Sequence, residues 1–206
     1  MSLGPRFFAL IPAAGKSRRM GRPKLSLPLG DRTVLEHVVG RFRQAGVREV
    51  LVVLSPQLTD LEPLATRAGA VTLVMDQQTP DMRATIQTGL QWLLDHRDLN
   101  QDYWFLSPAD HPTLVAGVVE ALQKAISSYP DSSIFIPTYR DQRGHPALVS
   151  SEHIRPILEI PEGQGVNRYF RSRGDVTREI PYAKEEILWD LDTPEEYERL
   201  RELWSS

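Results

Sequence analysis

LIPAAGKSRRMGRPK, residues 10–24, passes from the end of an apolar segment through a turn of small residues into a cationic loop. The apolar segment, residues 7–11, is short and bounded by Pro12, as expected of a buried strand. Ala13, Ala14 and Gly15 carry almost no side chain, so a ligand can come close to the backbone there. Lys16, Arg18, Arg19, Arg22 and Lys24 then place five cations within nine residues. Exposed N–H groups beside clustered cations suit a polyphosphate. A basic run after a strand is ordinarily just a solvated loop, so this assignment needs support from elsewhere in the chain. The stretch is neither a Walker loop nor a dinucleotide fingerprint, because GxxxxGK[ST] and GxGxxG are both absent.

Apolar runs and helical patterns alternate downstream. Residues 33–45 read as a helix: Thr33 with Glu36 fits a capping box, Leu35, Val38, Val39 and Phe42 form an apolar stripe, and Gly46 stops it. Residues 49–54, EVLVVL, form a near-continuous apolar strand suited to a parallel sheet covered on both faces. Residues 58–68 read as a helix and 71–75 as a strand. The polar loop 76–85 leads into a helix over 85–96. Residues 103–107, YWFLS, are a fourth strand ending in Pro108-Ala109-Asp110-His111-Pro112, with Thr113 placed to cap a helix to Ser128. Residues 133–137 are a fifth strand. The alternation predicts an α/β fold with a doubly wound, mostly parallel sheet, which binds ligands at the carboxyl ends of its strands. The cationic loop and Asp110 both lie at such ends.

Past Pro137 the pattern changes. Residues 138–150 read as a hairpin, 151–172 as a helix in two pieces, and 176–181 and 187–191 as short strands. Thr193, Pro194 and Glu196 open a last helix ending near Trp204.

Composition narrows the functional classes. An apolar fraction of 41% supports a substantial core, and a charged fraction of 25% argues against disorder. A net charge of −3, without aromatic-interleaved basic surface, points away from a nucleic-acid partner. The absence of cysteine excludes disulfides, thiolate chemistry and Cys-ligated zinc, and suits a cytoplasmic location. No apolar run approaches a membrane span and no signal peptide is visible, so no membrane partner is expected.

Two acidic positions supply what a cationic loop lacks. Asp110 sits in a turn between two prolines and suits Mg²⁺ as a hard oxygen ligand, or else caps the following helix. In Trp189-Asp190-Leu191-Asp192-Thr193-Pro194, alternation along an extended strand puts Asp190 and Asp192 on one face. Two like charges there repel, and a divalent cation removes that cost. Asp192 also suits the N-terminus of the last helix, where a negative charge contributes ~0.3–1 kcal/mol.

The order A-A-G-x-S-x-R-M-G-x-x-K resembles the signature loop of the MobA-like nucleotidyltransferases, in particular their molybdenum cofactor cytidylyltransferase branch. Four further segments resemble that family in chain order: the aspartate at a strand end followed by Pro112; residues 81–90; Arg143-Gly144-His145-Pro146; and residues 189–196. The resemblance implies a Rossmann-like nucleotidyltransferase fold in one domain over 1–206. Its nucleotide-binding part would span about 7–137, a small hairpin and helical acceptor-side lobe 138–181, and a C-terminal strand and helix 187–204. It implies that the loop from Pro12, Ala13, Ala14, Gly15, Lys16 and Ser17 wraps a triphosphate contacted by Arg19 and Lys24. Asp110 and Asp192 would bind Mg²⁺, or Mn²⁺ in its place, with Asp190 in support. Residues 81–90 would meet the nucleotide, here through Arg83 and Thr85, with Asp81 standing where the family has Gly. His145 would lie on the acceptor side, either contacting ligand or only holding the turn. A-A-G accompanies cytidine nucleotides in the family, which favours CTP.

The function implied is transfer of CMP from CTP to a phosphorylated acceptor, molybdopterin or its molybdenum-loaded form, with release of pyrophosphate and delivery of the product to a molybdoenzyme. Two alternatives stay open: transfer to a sugar phosphate or similar small molecule, and a nucleotide-binding insertion chaperone without transfer activity.

Overall fold

The computed structural model describes residues 4–15 and 19–205. Strand β1 (Phe7–Ala13) lies in the middle of the sheet and runs past Pro12 to Ala13. It pairs in parallel with β4 (Glu49–Leu54) along its whole upper length, whereas its parallel ladder to β6 (Tyr103–Leu106) stops at Leu10 opposite Leu106. The missing N–H of Pro12 therefore falls where β1 has one partner only, which is how a central strand can hold proline.

Between β1 and β4 come the short hairpin β2 (Pro28–Leu29) and β3 (Arg32–Thr33), and helix α1 (Val34–Gln44). The expected capping box is present: the Thr33 hydroxyl accepts from Glu36 N–H while the Glu36 carboxylate accepts from Thr33 N–H at 2.8 Å. The next helix is shorter than 58–68. Pro56–Leu61 form 3₁₀ turns with Leu58 off helical geometry, and only α2 (Glu62–Arg67) is α-helical, followed by β5 (Val71–Val74). Helix α3 (Met82–His96) starts three residues before Thr85, because the Asp81 carboxylate caps it by accepting from Ala84 N–H at 2.8 Å.

Helix α4 (Ala116–Ser128) starts later than expected and Thr113 does not cap it. The Thr113 hydroxyl donates instead to the Glu186 carbonyl at 2.9 Å. Then β7 (Ile134–Tyr139) and β8 (Gln142–Arg143) form the hairpin, and β9 (Ala147–Ser150) enters the sheet antiparallel between β6 and β7. Helices α5 (Ile154–Leu158) and α6 (Val166–Ser172) are the two expected pieces, β10 (Thr177–Pro181) pairs in parallel with β7, and α7 (Pro194–Ser205) follows.

The sheet order is β10-β7-β9-β6-β1-β4-β5, with β9 antiparallel to its neighbours. Alternate side chains of each strand enter different cores. Ala9, Ile11, Val50, Val52 and Phe105 pack with α1 and α4, while Phe8, Leu10, Leu51, Val53 and Trp104 pack with α3, α5 and α6. Both faces are covered, which is why the strands read as unbroken apolar runs.

Residues 187–191 are not a strand. A 3₁₀ turn covers Glu185–Leu188 and the chain then extends alone. Its polar groups go to two loops rather than to a ladder. The Ile187 carbonyl accepts from His145 N–H, Leu191 N–H donates to the Asp110 carbonyl, and the Glu186 carbonyl bonds His111 Nε2 at 2.7 Å.

Candidate active site

The chain goes outward from β1 to β4 and β5, then returns to place β6 on the other side of β1. The carboxyl ends of β1 and β6 meet at this reversal, where open α/β sheets leave a crevice. A cavity of about 260 Å³ opens there, lined by Pro12 and Ala13 from β1, Gly15 just past it, Arg19 and Lys24 from the loop, Asp110 from beyond β6, and Asp192. The loop is fixed by its apolar residues: Met20, Leu25, Leu27 and Leu29 are buried in the main core. Arg22 lies outside this cavity and stacks on Tyr197, 5.0 Å from the ring centre. Lys16, Ser17 and Arg18 fall outside the described residues.

Lys24 stands between the two acids. Its Nζ donates to Asp110 Oδ2 and, at 2.9 Å, to Asp192 Oδ1. Its side chain is 13% exposed, so both ion pairs are poorly screened. Arg19 reaches Asp192 Oδ2 at 2.7 Å from a side chain 72% exposed. Asp192 also stands at the start of α7, where the cap is made around it: the Thr193 hydroxyl accepts from Glu196 N–H at 3.3 Å, and the Glu196 carboxylate accepts from the N–H groups of Asp192 and Thr193 at 2.7 and 2.8 Å. That leaves the Asp192 carboxylate turned to Lys24 and Arg19. Burial by itself would raise its pKa, but Lys24 and Arg19 together hold it below the ordinary carboxylate range. The Lys24 ammonium is likewise held up by Asp110 and Asp192 against the opposing effect of burial.

Asp190 behaves differently. Asp190 does not line the cavity, yet its carboxyl is near enough to Asp110 and Asp192 to feel both charges. Its carboxyl is pushed up by loss of hydration and by the charges of Asp110 and Asp192, while His145 pulls the other way. The His145 imidazole packs edge-on to His111 with ring centres 5.8 Å apart, and burial followed by His111 pushes its pKa down. His111 is wholly buried and also shifted down by burial; its Nδ1 has no hydrogen-bond partner. Burial thus favours the uncharged form of both rings.

A second cavity, about 600 Å³, adjoins the A-A-G turn and is lined by Ala14, Gly15, Gln78, Thr79, Pro80, Asp81, Met82 and Thr85. The Thr85 hydroxyl is buried there, 2.6 Å from the Thr79 hydroxyl. A third, about 270 Å³, lies toward the hairpin and includes Pro12, Met82, Arg83, His145, Gly165 and Asn167. Arg83 lines it from a largely buried position, donating to Gln87 Oε1 at 2.6 Å and to the Ile160 carbonyl at 3.3 Å. It thus clamps α3 to the loop after α5.

Met82 borders all three cavities and is 52% exposed. Sequence reasoning passed over it, although a large apolar residue just after a cap in a polar loop is the available signal. Two glycines set the walls. A Cβ on Gly89 would lie 2.4 Å from Leu10 Cδ1, and one on Gly144 would lie 2.5 Å from the Ile187 carbonyl oxygen. Gly89 lets α3 press onto β1 beneath the turn, and Gly144 lets the hairpin turn touch the segment leading to Asp190 and Asp192.

Asp110 and Asp192 fit a divalent cation by one observation: a single ammonium already bridges them. Among the described residues no cluster of three or more His, Asp or Glu side chains is set to hold a metal by itself. Two carboxylates completed by substrate phosphates and water form a donor set that Mg²⁺ commonly takes. No described helix is long and apolar enough to cross a membrane.

The chain is 25% identical to the molybdenum cofactor cytidylyltransferase of Escherichia coli K12 over 196 residues, 95% of this chain and 96% of that one. A nucleotidyl transferase from Methanothermobacter superposes with a TM-score of 0.80 at 19% identity, over 98% of this chain and 99% of the other. Rv0371c of Mycobacterium tuberculosis, solved as a complex with manganese, superposes with a TM-score of 0.75 at 23% identity, over 97% of this chain and all of its own. The pattern of the MobA-like NTP transferase domain matches residues 9–177, and with it the crevice between β1 and β6 acquires its class: the chain belongs to the MobA-like NTP transferase family.

Proposed function

We propose that the protein transfers CMP from CTP to the phosphate of a molybdopterin-type acceptor and releases pyrophosphate. The observation that carries this reading is the meeting of Arg19, Lys24, Asp110 and Asp192 in one cavity with the small-residue turn Ala13–Gly15. The similarity to the E. coli cytidylyltransferase supports both the base and the acceptor.

An acceptor phosphate oxygen attacks the α-phosphorus, the α–β P–O bond breaks, and pyrophosphate carries away the electron pair. A phosphate monoester has a second pKa near ~6, so the nucleophile is already a dianion at neutral pH and no general base is needed. Mg²⁺, held by Asp110 and Asp192 when bound, would supply Lewis-acid stabilisation of charge at the reacting phosphates. The chain's own residues bind and orient. Arg19 grips phosphate oxygens through its fork, and Lys24 places a compact charge on the leaving pyrophosphate. The N–H groups after β1 receive the phosphates, and the cavity bearing Thr85 and Asp81 takes the base. The cavity bearing Arg83, His145 and Asn167 takes the acceptor, and Met82 stands between the two as an apolar divider.

The test is a pyrophosphate-release assay crossing CTP, GTP, ATP and UTP with molybdopterin and common sugar phosphates. Release with CTP and molybdopterin is expected. Release only with a sugar phosphate would replace the acceptor, and tight CTP binding with no release from any pair would replace transfer by a chaperone role.

A further inference from the structure

The position a cation would take between Asp110 and Asp192 is held by a side chain of the same protein. Lys24 Nζ donates to both carboxylates at once. Arg19 adds a second positive contact on Asp192. A divalent ion cannot join these oxygens while the ammonium stays in contact with them, because the cations would meet at close range in a partly buried site. Lys24 also lines the cavity that holds the small-residue turn, on a flexible stem at the first residue of a 3₁₀ turn. A triphosphate entering that cavity offers the ammonium a stronger anion than either carboxylate.

We propose that Lys24 is an internal counter-cation that keeps metal off Asp110 and Asp192 until a triphosphate draws it away, so that metal and nucleotide bind with positive coupling. The inference rests on the metal assignment made under Proposed function. It assigns Lys24 two successive partners: the carboxylates first, the departing phosphates afterwards. Coupling of this kind is reciprocal, so metal also tightens nucleotide binding.

The experiment is a Mn²⁺ titration followed by electron paramagnetic resonance, with and without a non-hydrolysable CTP analogue, on wild type, Lys24→Gln, Lys24→Met and Lys24→Arg. Wild type is expected to bind Mn²⁺ weakly alone and at least about tenfold more tightly with the analogue, since a typical coupling of 1–3 kcal/mol is 5–150-fold. Lys24→Gln and Lys24→Met should bind Mn²⁺ alone about tenfold more tightly than wild type and lose most of the response to the analogue. Lys24→Arg, which keeps a cation at the carboxylates, should stay near wild type. Adding Asp110→Asn to Lys24→Gln should abolish the gain. Unchanged Mn²⁺ affinity in folded Lys24→Gln and Lys24→Met overturns the inference, as does a gain that survives Asp110→Asn. No arm requires turnover, so wild type that transfers CMP while these variants show no gain overturns the coupling alone. Wild type that binds neither analogue nor Mn²⁺ overturns the functional reading with it.

Discussion

Gly144→Ala is expected to cost both stability and activity through one contact. A Cβ at this position meets the Ile187 carbonyl oxygen at 2.5 Å, Ile187 Cγ1 at 2.8 Å and Ile187 Cβ at 2.9 Å. The nearest atom is backbone, so no side-chain rotation relieves the clash, and the segment 185–188 must move. That movement strains the bond from His145 N–H to the Ile187 carbonyl, 2.9 Å, and the paired bonds of His111 and Thr113 to the Glu186 carbonyl. Overpacking of this kind costs about 1–3 kcal/mol, and one weakened hydrogen bond adds about 1 kcal/mol. The sum, about 2–4 kcal/mol, corresponds to a fall in melting temperature of about 4–16 °C for a chain of this size. Asp190 and Asp192 follow directly on the displaced segment, so pyrophosphate release should fall further than the melting point explains at an assay temperature where the variant is folded. Calorimetry and the release assay on the same preparation test this. Adding Ile187→Ala should not rescue, because the carbonyl oxygen remains. A melting point equal to that of wild type would refute the close-approach argument, and full rescue by Ile187→Ala would show that the side chain, not the backbone, set the contact.

Gly89→Ala should be milder: its nearest contacts are the side-chain ends of Leu10 and Val53, and about 1 kcal/mol of helix propensity offsets an overpacking cost of about 1–3 kcal/mol, leaving a net loss of about 0–2 kcal/mol in urea unfolding. A loss as large as that of Gly144→Ala would contradict the ranking. Asp110→Asn should abolish pyrophosphate release while the circular dichroism spectrum stays native; full activity with Mg²⁺ would remove Asp110 from the metal site. Asp190→Asn should raise the melting point at pH 7, because a carboxyl whose folded pKa is raised costs stability once ionised; an unchanged or lower value would count against its crowding by Asp110 and Asp192. His111, His145 and His153 all have pKa values pushed down by burial, so unfolded chains take up protons that the folded protein refuses. Stability should therefore fall as pH drops below about 6.5, and the Asp192 contribution should go only in stronger acid, below the ordinary carboxylate value of about 3.9. Urea midpoints measured from pH 7 to pH 3 check the order of the two losses, and a flat profile between pH 7 and 5 would refute the first.

The regular part of the protein was legible in the chain because each element carries its own signal. EVLVVL at Glu49–Leu54 matches its strand to the residue, and Thr33 with Glu36 form the capping box their spacing predicts. The turn Ala13–Gly15 followed by Arg19 and Lys24 was legible as a small-residue, cationic segment at a strand end, and the structure puts these residues around one cavity. Residues 187–191 misled because period-two alternation says only that a chain is extended. Whether it becomes a strand depends on what its carbonyls meet, and here they meet His111, Thr113 and His145 from distant loops. Thr113 misled likewise, since its hydroxyl found a carbonyl across the fold before it found a helix end. Met82 carries only the weak signal of an apolar residue after a cap, and the glycines at 89 and 144 carry none; their roles exist only where α3 and the residue past β8 come within contact distance of other elements.

The sequence by itself determined a mostly parallel sheet covered on both faces, a cationic loop after the first strand and two acidic positions, because these follow from periodicity, side-chain size and charge along a short stretch. Only the tertiary structure decided that Lys24, Asp110 and Asp192, separated by 86 and 168 positions from Lys24 to its two partners, share one ammonium. Strand order is the reason. Placing β6 beside β1 brings the loop and Asp110 together, and the bond from Leu191 N–H to the Asp110 carbonyl then fixes where Asp192 arrives.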